Sequence, residues 1–205
     1  YLEERGFSRE LIEQYRIGWS LPNWDALTTL LDRKGFSLAE MAQSGLVIQK
    51  ENKNEYFDRF RERIMFPVRD EVGHVIAFSG RVLNTESQDA KYMNSPESPI
   101  FQKSKVLYNL DVSRPIIRKK HKVIVMEGFM DVIAAAKAGI MNTVATMGTA
   151  LTKEQINKLK RLTDSVTICY DGDSAGFEAA KRAAQLLVQD KIKTEIALLP
   201  DQMDP

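Results

Sequence analysis

The residues able to do chemistry are acids placed just after apolar runs. Glu127 follows Val123–Met126 directly, Asp171 and Asp173 come at the end of Val166–Tyr170, and Asp201 and Asp204 follow Glu195–Leu199. Asp131 lies one helical turn past Glu127. Carboxylates that converge repel unless a cation sits among them. A hard divalent ion with oxygen ligands, Mg²⁺ or Mn²⁺, meets that need. Gly128, Gly172 and Gly176 sit beside these acids, where backbone must turn sharply or approach closely. For Asp171-Gly-Asp173 two readings stand: a ligand pair, or a turn in which Asp173 caps the following helix. Glu127 is harder to place in a turn, because an unpaired carboxylate leaving an apolar strand is costly.

Cations concentrate in the first half. Residues 1–122 carry 20 Lys and Arg against 17 Asp and Glu, whereas 123–205 carry 9 against 11. Arg59, Arg61 and Arg63 alternate, which would place them on one face of a strand. Arg81, Lys91, Lys103 and Lys105 surround a long polar segment, and Arg114–Lys122 holds five cations and no acid. Taken singly these are solvated surface charges. Lys91-Tyr92 and Lys103 with Tyr108 add aromatic partners that suit single-stranded nucleic acid. Trp19, Trp24 and the scattered methionines read as core, and His74 and His121 have no ligand spacing.

These groups need a scaffold. In the second half, short β-branched runs (123–126, 143–146, 166–170, 195–199) alternate with helical stretches at 131–138, from Thr152 to about 162, and 175–188. Fully apolar strands alternating with helices predict a parallel sheet covered on both faces, with ligands at the strands' carboxyl ends. The first half reads as mixed α+β: helices over 9–15, capped by Ser8, and over 24–34, capped by Asn23. A capping box opens another at Ser37-Leu-Ala-Glu40, which Gly45 ends. Ile64–Val68 and His74–Phe78 flank Asp70-Glu-Val-Gly73 as a hairpin. Residues 84–99 read as a loop without periodicity.

The 205 residues are 43% hydrophobic and 28% charged, with a mean hydropathy of −0.31. That balance fits a soluble protein with a core. No run approaches the roughly 18–20 apolar residues of a membrane span. A single cysteine, Cys169, excludes a disulfide framework or Cys-rich zinc site in these residues and fits a reducing cytoplasm. A start at Tyr1 and a stop at Asp204-Pro205, without a tapering tail, read as a piece of a longer protein.

Together the motifs resemble a known family. Met126-Glu-Gly-Phe-Met-Asp131, Ala145-Thr-Met-Gly-Thr149 and Tyr170-Asp-Gly-Asp-Ser-Ala-Gly176 are similar to the Toprim domain. Tyr56-Phe-Asp-Arg-Phe-Arg-Glu-Arg-Ile-Met-Phe-Pro-Val68, Phe78-Ser-Gly-Arg-Val82, Lys91-Tyr-Met-Asn-Ser-Pro-Glu97, Phe101-Gln-Lys103 and Leu107-Tyr-Asn109 resemble bacterial DnaG-type primases. The resemblance implies a basic α+β subdomain at 1–118 and a C-terminally truncated Toprim domain at 119–205. It implies an RNA polymerase core making short primers on single-stranded DNA by two-metal nucleotidyl transfer. Glu127, Asp171 and Asp173 would be catalytic and would bind two Mg²⁺ or Mn²⁺, with Asp131 and Asp204 as further ligands. Arg81, Lys91, Lys103, Arg61, Arg63 and Arg5 would handle nucleotide or template. Implied partners are template, NTPs, the RNA–DNA hybrid and, through an absent C-terminal domain, a replicative helicase; zinc would belong to an absent upstream domain. The expected state is a cytoplasmic monomer. Two rivals remain: a haloacid-dehalogenase-like phosphatase with Asp171 as nucleophile, and a non-catalytic Toprim-like nucleic-acid-binding module.

Overall fold

A computed structural model describes residues 1–50, 55–83, 90–200, 203 and 205. The chain packs as two compact units, 1–68 with 75–101, and 69–74 with 102–205. No helix among the described residues is long and apolar enough to cross a membrane.

In the first unit come α1 (Arg9–Gln14), β1 (Gly18–Ser20), α2 (Ala26–Arg33), α3 (Leu38–Gln43), β2 (Val47–Gln49) and β3 (Tyr56–Asp58). They are followed by β4 (Arg63–Arg69), β5 (Val75–Val82) and β6 (Tyr92–Asn94), and the main sheet has the order β1-β4-β5-β6. Ser8 and Ser37 cap α1 and α3 as expected. Helix α2 begins later than expected, and its cap comes from a distance. The buried Asp58 carboxylate accepts from the Leu27 and Thr28 amides at 2.6 and 2.8 Å and from the Thr28 hydroxyl at 2.7 Å. Two other expectations change. Arg59, Arg61 and Arg63 do not share one strand: β3 stops at Asp58, Glu62 takes φ 52°, and β4 starts at Arg63. The segment read as loop contains β6, which pairs antiparallel with β5 through Gly80 and Met93.

The second unit holds α4 (Leu110–Lys120), β7 (Val123–Met126), α5 (Phe129–Lys137), β8 (Thr143–Ala145), α6 (Lys153–Lys160), β9 (Ser165–Ile168), α7 (Ser174–Gln189) and β10 (Lys193–Ile196). The five cations at 114–122 therefore lie on and just after α4. The four strands run parallel in the order β10-β9-β7-β8. Right-handed crossovers place α5 on one face and α6 and α7 on the other. Side-chain alternation agrees. Val123, Val125, Val144, Val166 and Ile168 join Ile156, Leu159, Ala183 and Leu187 in one core cluster. This chain order puts the topological switch between β7 and β9, where ligands bind in open α/β sheets.

Gln155 secures the segment leading into this unit. Fully buried at 0% exposure, it caps α6 through the Thr152 amide at 3.0 Å. Its Nε2 donates to the carbonyls of Lys103 at 3.0 Å and Val106 at 2.7 Å. At the hairpin tip, Arg69 pairs with Asp111 at 3.1 Å and Glu71 accepts from Lys158 at 2.7 Å. A buried donor's loss leaves its acceptors unsatisfied. Gln155→Leu should therefore lower unfolding free energy by about 2–4 kcal/mol in urea titration. Gln155→Glu, which keeps an acceptor for the cap but removes both donors, should be no better tolerated.

Candidate active site

Strand register gathers the acids. Val125 lies opposite Ile168, so Glu127, two residues on, emerges at the level of Tyr170 and Asp171. The half-buried Glu127 carboxylate accepts the Asp171 amide, while its Oε1 is buried with no hydrogen-bond partner among the described residues. Burial, followed by the negative charges of Asp171 and Asp173, pushes the Glu127 pKa up; the Asp171 amide opposes them. The Tyr170 phenol is pushed up by burial and by Glu127. Burial and the charges of Asp131 and Asp171 likewise raise Cys169. Three carboxylates thus share one electrostatic neighbourhood at the β7/β9 switch.

Two acids also serve the backbone. Asp173 Oδ1 accepts from Gly176 at 2.7 Å and caps α7, so the helix-cap reading of this residue is met. Asp131 Oδ2 accepts from Gly128 at 2.9 Å at the start of α5. Asp201 and Asp204 lie outside the described residues. Among the described residues no three acidic, histidine or cysteine side chains close on one point as a metal cluster. The donor set nevertheless suits a hard cation: Glu127 has a buried oxygen with no partner among the described residues and feels the negative charges of Asp171 and Asp173.

The glycines hold this loop close. A Cβ on Gly172 would lie 2.2 Å from the Pro200 carbonyl oxygen, and one on Gly176 would lie 2.3 Å from that of Asp171. Beside them opens a cleft of about 370 Å³ whose walls include Asp171, Asp173, Phe177 and Leu198.

In the first unit, Arg81 is only 7% exposed. Its guanidinium sits 4.2 Å from the Tyr1 ring centroid and 5.7 Å from that of Tyr92. Its Nε and Nη1 are buried without partners among the described residues. Arg5 lies 5.3 Å from the same Tyr1 ring, and exposed Lys91 lies 5.9 Å from that of Tyr92. Arg63 is 2% exposed and donates to the carbonyls of Ala90 at 3.0 Å and Gly80 at 3.3 Å. Arg61 stacks 3.9 Å over Trp24 and donates to the Asp58 carbonyl. Lys103 is in the second unit, on a single 3₁₀ turn at Lys103–Lys105. Trp19 and Trp24, expected in the core, are 46% and 62% exposed. Trp24 precedes α2, where Arg61 covers its face and Phe57 meets it edge-on at 5.6 Å.

The family described as "DNA primase catalytic core, N-terminal domain" matches residues 1–114, and the Toprim-like family matches 124–205. The chain belongs to the DnaG-type primase family. The DNA primase of Halalkalibacterium halodurans is 48% identical over all 205 residues, which span 34% of that protein. The chain thus covers about a third of such curated relatives. The RNA polymerase domain of Mycobacterium tuberculosis primase DnaG superposes with a TM-score of 0.91 at 35% identity, covering all of this chain and 68% of that one. A DnaG primase catalytic domain solved bound to single-stranded DNA superposes with a TM-score of 0.87 at 40% identity, covering all of this chain and 64% of that one.

Within this primase core, sequence reasoning missed Tyr1 and Tyr92 as the partners of Arg81. Tyr92 had a signal in its neighbour Lys91. Tyr1 had none, because a stack between distant residues leaves no local pattern.

The raised Glu127 pKa sets a pH dependence. An unfolded chain releases this proton near the ordinary value of 4.5, whereas the folded protein releases it at higher pH. As pH rises through that interval the unfolded state gains, so ionised Glu127 destabilises the metal-free fold. Glu127→Gln should therefore raise Tm at neutral pH without divalent ions, and the gain should fade towards pH 4.5. Added Mg²⁺ should raise the Tm of the parent protein more than that of the variant. Differential scanning fluorimetry across pH, with and without Mg²⁺, checks both.

Proposed function

We propose that this chain is the RNA polymerase core of a bacterial primase, copying single-stranded DNA into short RNA primers for replication. Family membership supports the reading, and the observation that carries it is the unpartnered Glu127 Oε1 beside Asp171 and Asp173 at the sheet's switch point. Glu127, Asp171 and Asp173 would hold Mg²⁺ or Mn²⁺, two per active site, with Asp131 and Asp204 at the periphery. When bound, such ions lower the pKa of the attacking 3′-hydroxyl and neutralise the departing pyrophosphate.

The chain's own residues prepare that chemistry. Burial keeps water from screening the Glu127 carboxylate, which strengthens its pull on a cation. Tight packing around Gly172 and Gly176 holds Asp171 and Asp173 against the same edge. Arg81, whose Nε and Nη1 have no acceptor among the described residues, suits phosphate oxygens, and Lys91, Lys103 and Arg5 add positive charge. Arg61 on the exposed Trp24 ring offers a stacking platform for unpaired bases. Arg63 orders the strands on which the others stand. The relative solved with single-stranded DNA supports such a template for this chain. NTPs and the RNA–DNA hybrid complete the ligand set; the helicase contact and zinc belong to parts of the protein outside this chain. The core works as a monomer in the cytoplasm.

A primer-synthesis assay with single-stranded DNA, NTPs and Mg²⁺ tests the proposal. Glu127→Gln and Asp171→Asn, which remove charge with little change of volume, should each abolish synthesis while far-UV circular dichroism stays unchanged. Surviving activity in either would remove that acid from the chemistry, and a trapped phosphoenzyme at Asp171 would point to a phosphatase. Lys91→Ala and Lys103→Ala should weaken NTP or template binding. Each of these that touches DNA phosphate should also lower the salt slope of DNA affinity by about one unit.

A further inference from the structure

Arg81 presents an unusual problem for a buried cation. Nine-tenths of it is covered, yet two of its nitrogens have no acceptor among the described residues. Such a charge is tolerated in a fold only where something else stabilises it. Here the stabilising groups are aromatic faces: Tyr1 at 4.2 Å and Tyr92 at 5.7 Å. An aromatic ring attracts a guanidinium through its quadrupole but accepts no in-plane hydrogen bond. The Arg81 Nε and Nη1 donors are therefore left without an acceptor among the described residues. Tyr1 does more than Tyr92, because the Arg5 guanidinium also lies over its ring, at 5.3 Å. Both guanidiniums thus lie within cation–π distance of one ring. The Tyr1 hydroxyl is itself buried with no partner among the described residues.

We propose that Tyr1 is a positioning residue whose ring holds the Arg81 and Arg5 guanidiniums together as one site for a phosphate oxyanion. This rests on the reading of Arg81 and Arg5 as nucleotide- or template-binding groups and adds the element that orients them. The oxyanion belongs either to the triphosphate of an incoming nucleotide or to the backbone of the template. In both cases the planar guanidinium edge would meet phosphate oxygens as paired N–H donors. Tyr1 does not touch the reacting atoms, so its substitution should change affinity and KM while leaving kcat nearly intact.

The test uses Tyr1→Phe, Tyr1→Leu and Arg81→Ala in the primase core, with ATP and a single-stranded DNA oligonucleotide as separate probes in fluorescence anisotropy and calorimetry. Tyr1→Phe keeps the ring and should bind within about twofold of the parent. Tyr1→Leu should weaken one probe by roughly five- to thirty-fold, the range expected for a desolvated cation–π contact. The weakened probe identifies the source of the phosphate. Phenylalanines with successive ring fluorines at position 1 preserve shape while draining the quadrupole. Affinity should fall stepwise along that series, which a purely space-filling role would not produce, and it remains measurable if Tyr1→Leu fails to fold. Flat affinity across the fluorinated series overturns the proposal, as does parent-like binding by a folded Tyr1→Leu. If Arg81→Ala binds both probes normally, the underlying assignment of Arg81 falls instead.

Discussion

The constraint on which the second unit depends is repulsion among Glu127, Asp171 and Asp173 at the carboxyl edge of a sheet buried on both faces. A doubly covered parallel sheet offers few ways to relieve that repulsion from within. Strands β7 and β9 bury Val123, Val125, Val166 and Ile168, while the edge strand β10 turns Lys193 and Glu195 to solvent; the faces are closed by α5 on one side and α6 and α7 on the other, and the acids emerge where the loops diverge. Glu127 keeps one oxygen unsatisfied and its pKa raised. The fold holds this unfavourable arrangement because the apolar contacts beneath it are extensive. Burial of the kind made by Val123, Val125, Val166, Ile168 and Leu187, none of them exposed, contributes about 1.5–3 kcal/mol for each large side chain.

Other features limit how far the acids can relax. Asp173 and Asp131 each give one oxygen to a helix N-terminus, where backbone amides and the helix dipole stabilise negative charge. The capping bond fixes the Asp173 carboxylate in position, so capping and ligand binding are compatible in this side chain. The absence of Cβ atoms at Gly172 and Gly176 lets the Asp171 loop sit against Pro200 and the start of α7. The loop therefore cannot swing its acids apart without losing contacts on both sides.

Much of this was legible in the chain because its physics is local. Alternation of short β-branched runs with capped helices located β7, β8 and β9 closely, and it placed Glu127 and Asp171 at strand ends before any register was known. Local reasoning failed where a distant residue settled the outcome. The start of α2 was misplaced because its cap comes from Asp58, some thirty residues away. Alternation of Arg59, Arg61 and Arg63 suggested one strand, but Glu62 in the left-handed region breaks it. Trp24 reads as core by composition, yet its face is covered by a guanidinium and its ring remains at the surface. The short strand β6 carries no period of its own and exists through pairing with β5.

The acids and the cations solve opposite versions of one problem. A carboxylate cannot lean on an aromatic face, which repels it, so its demand falls on donors such as amides and hydroxyls, on a cationic side chain or on a metal ion. A guanidinium can be buried against rings while its in-plane donors stay unused. Arg81 takes this second route with Tyr1 and Tyr92, whereas Arg63 gives its donors to backbone carbonyls and becomes part of the scaffold. The same residue type, in neighbouring strands of one sheet, is thus structural or available according to whether carbonyls or rings surround it. That distinction follows from the geometry of the planar ion and not from charge count. It explains why net charge, nearly balanced in this chain at +1, says little about where a polyanion can bind.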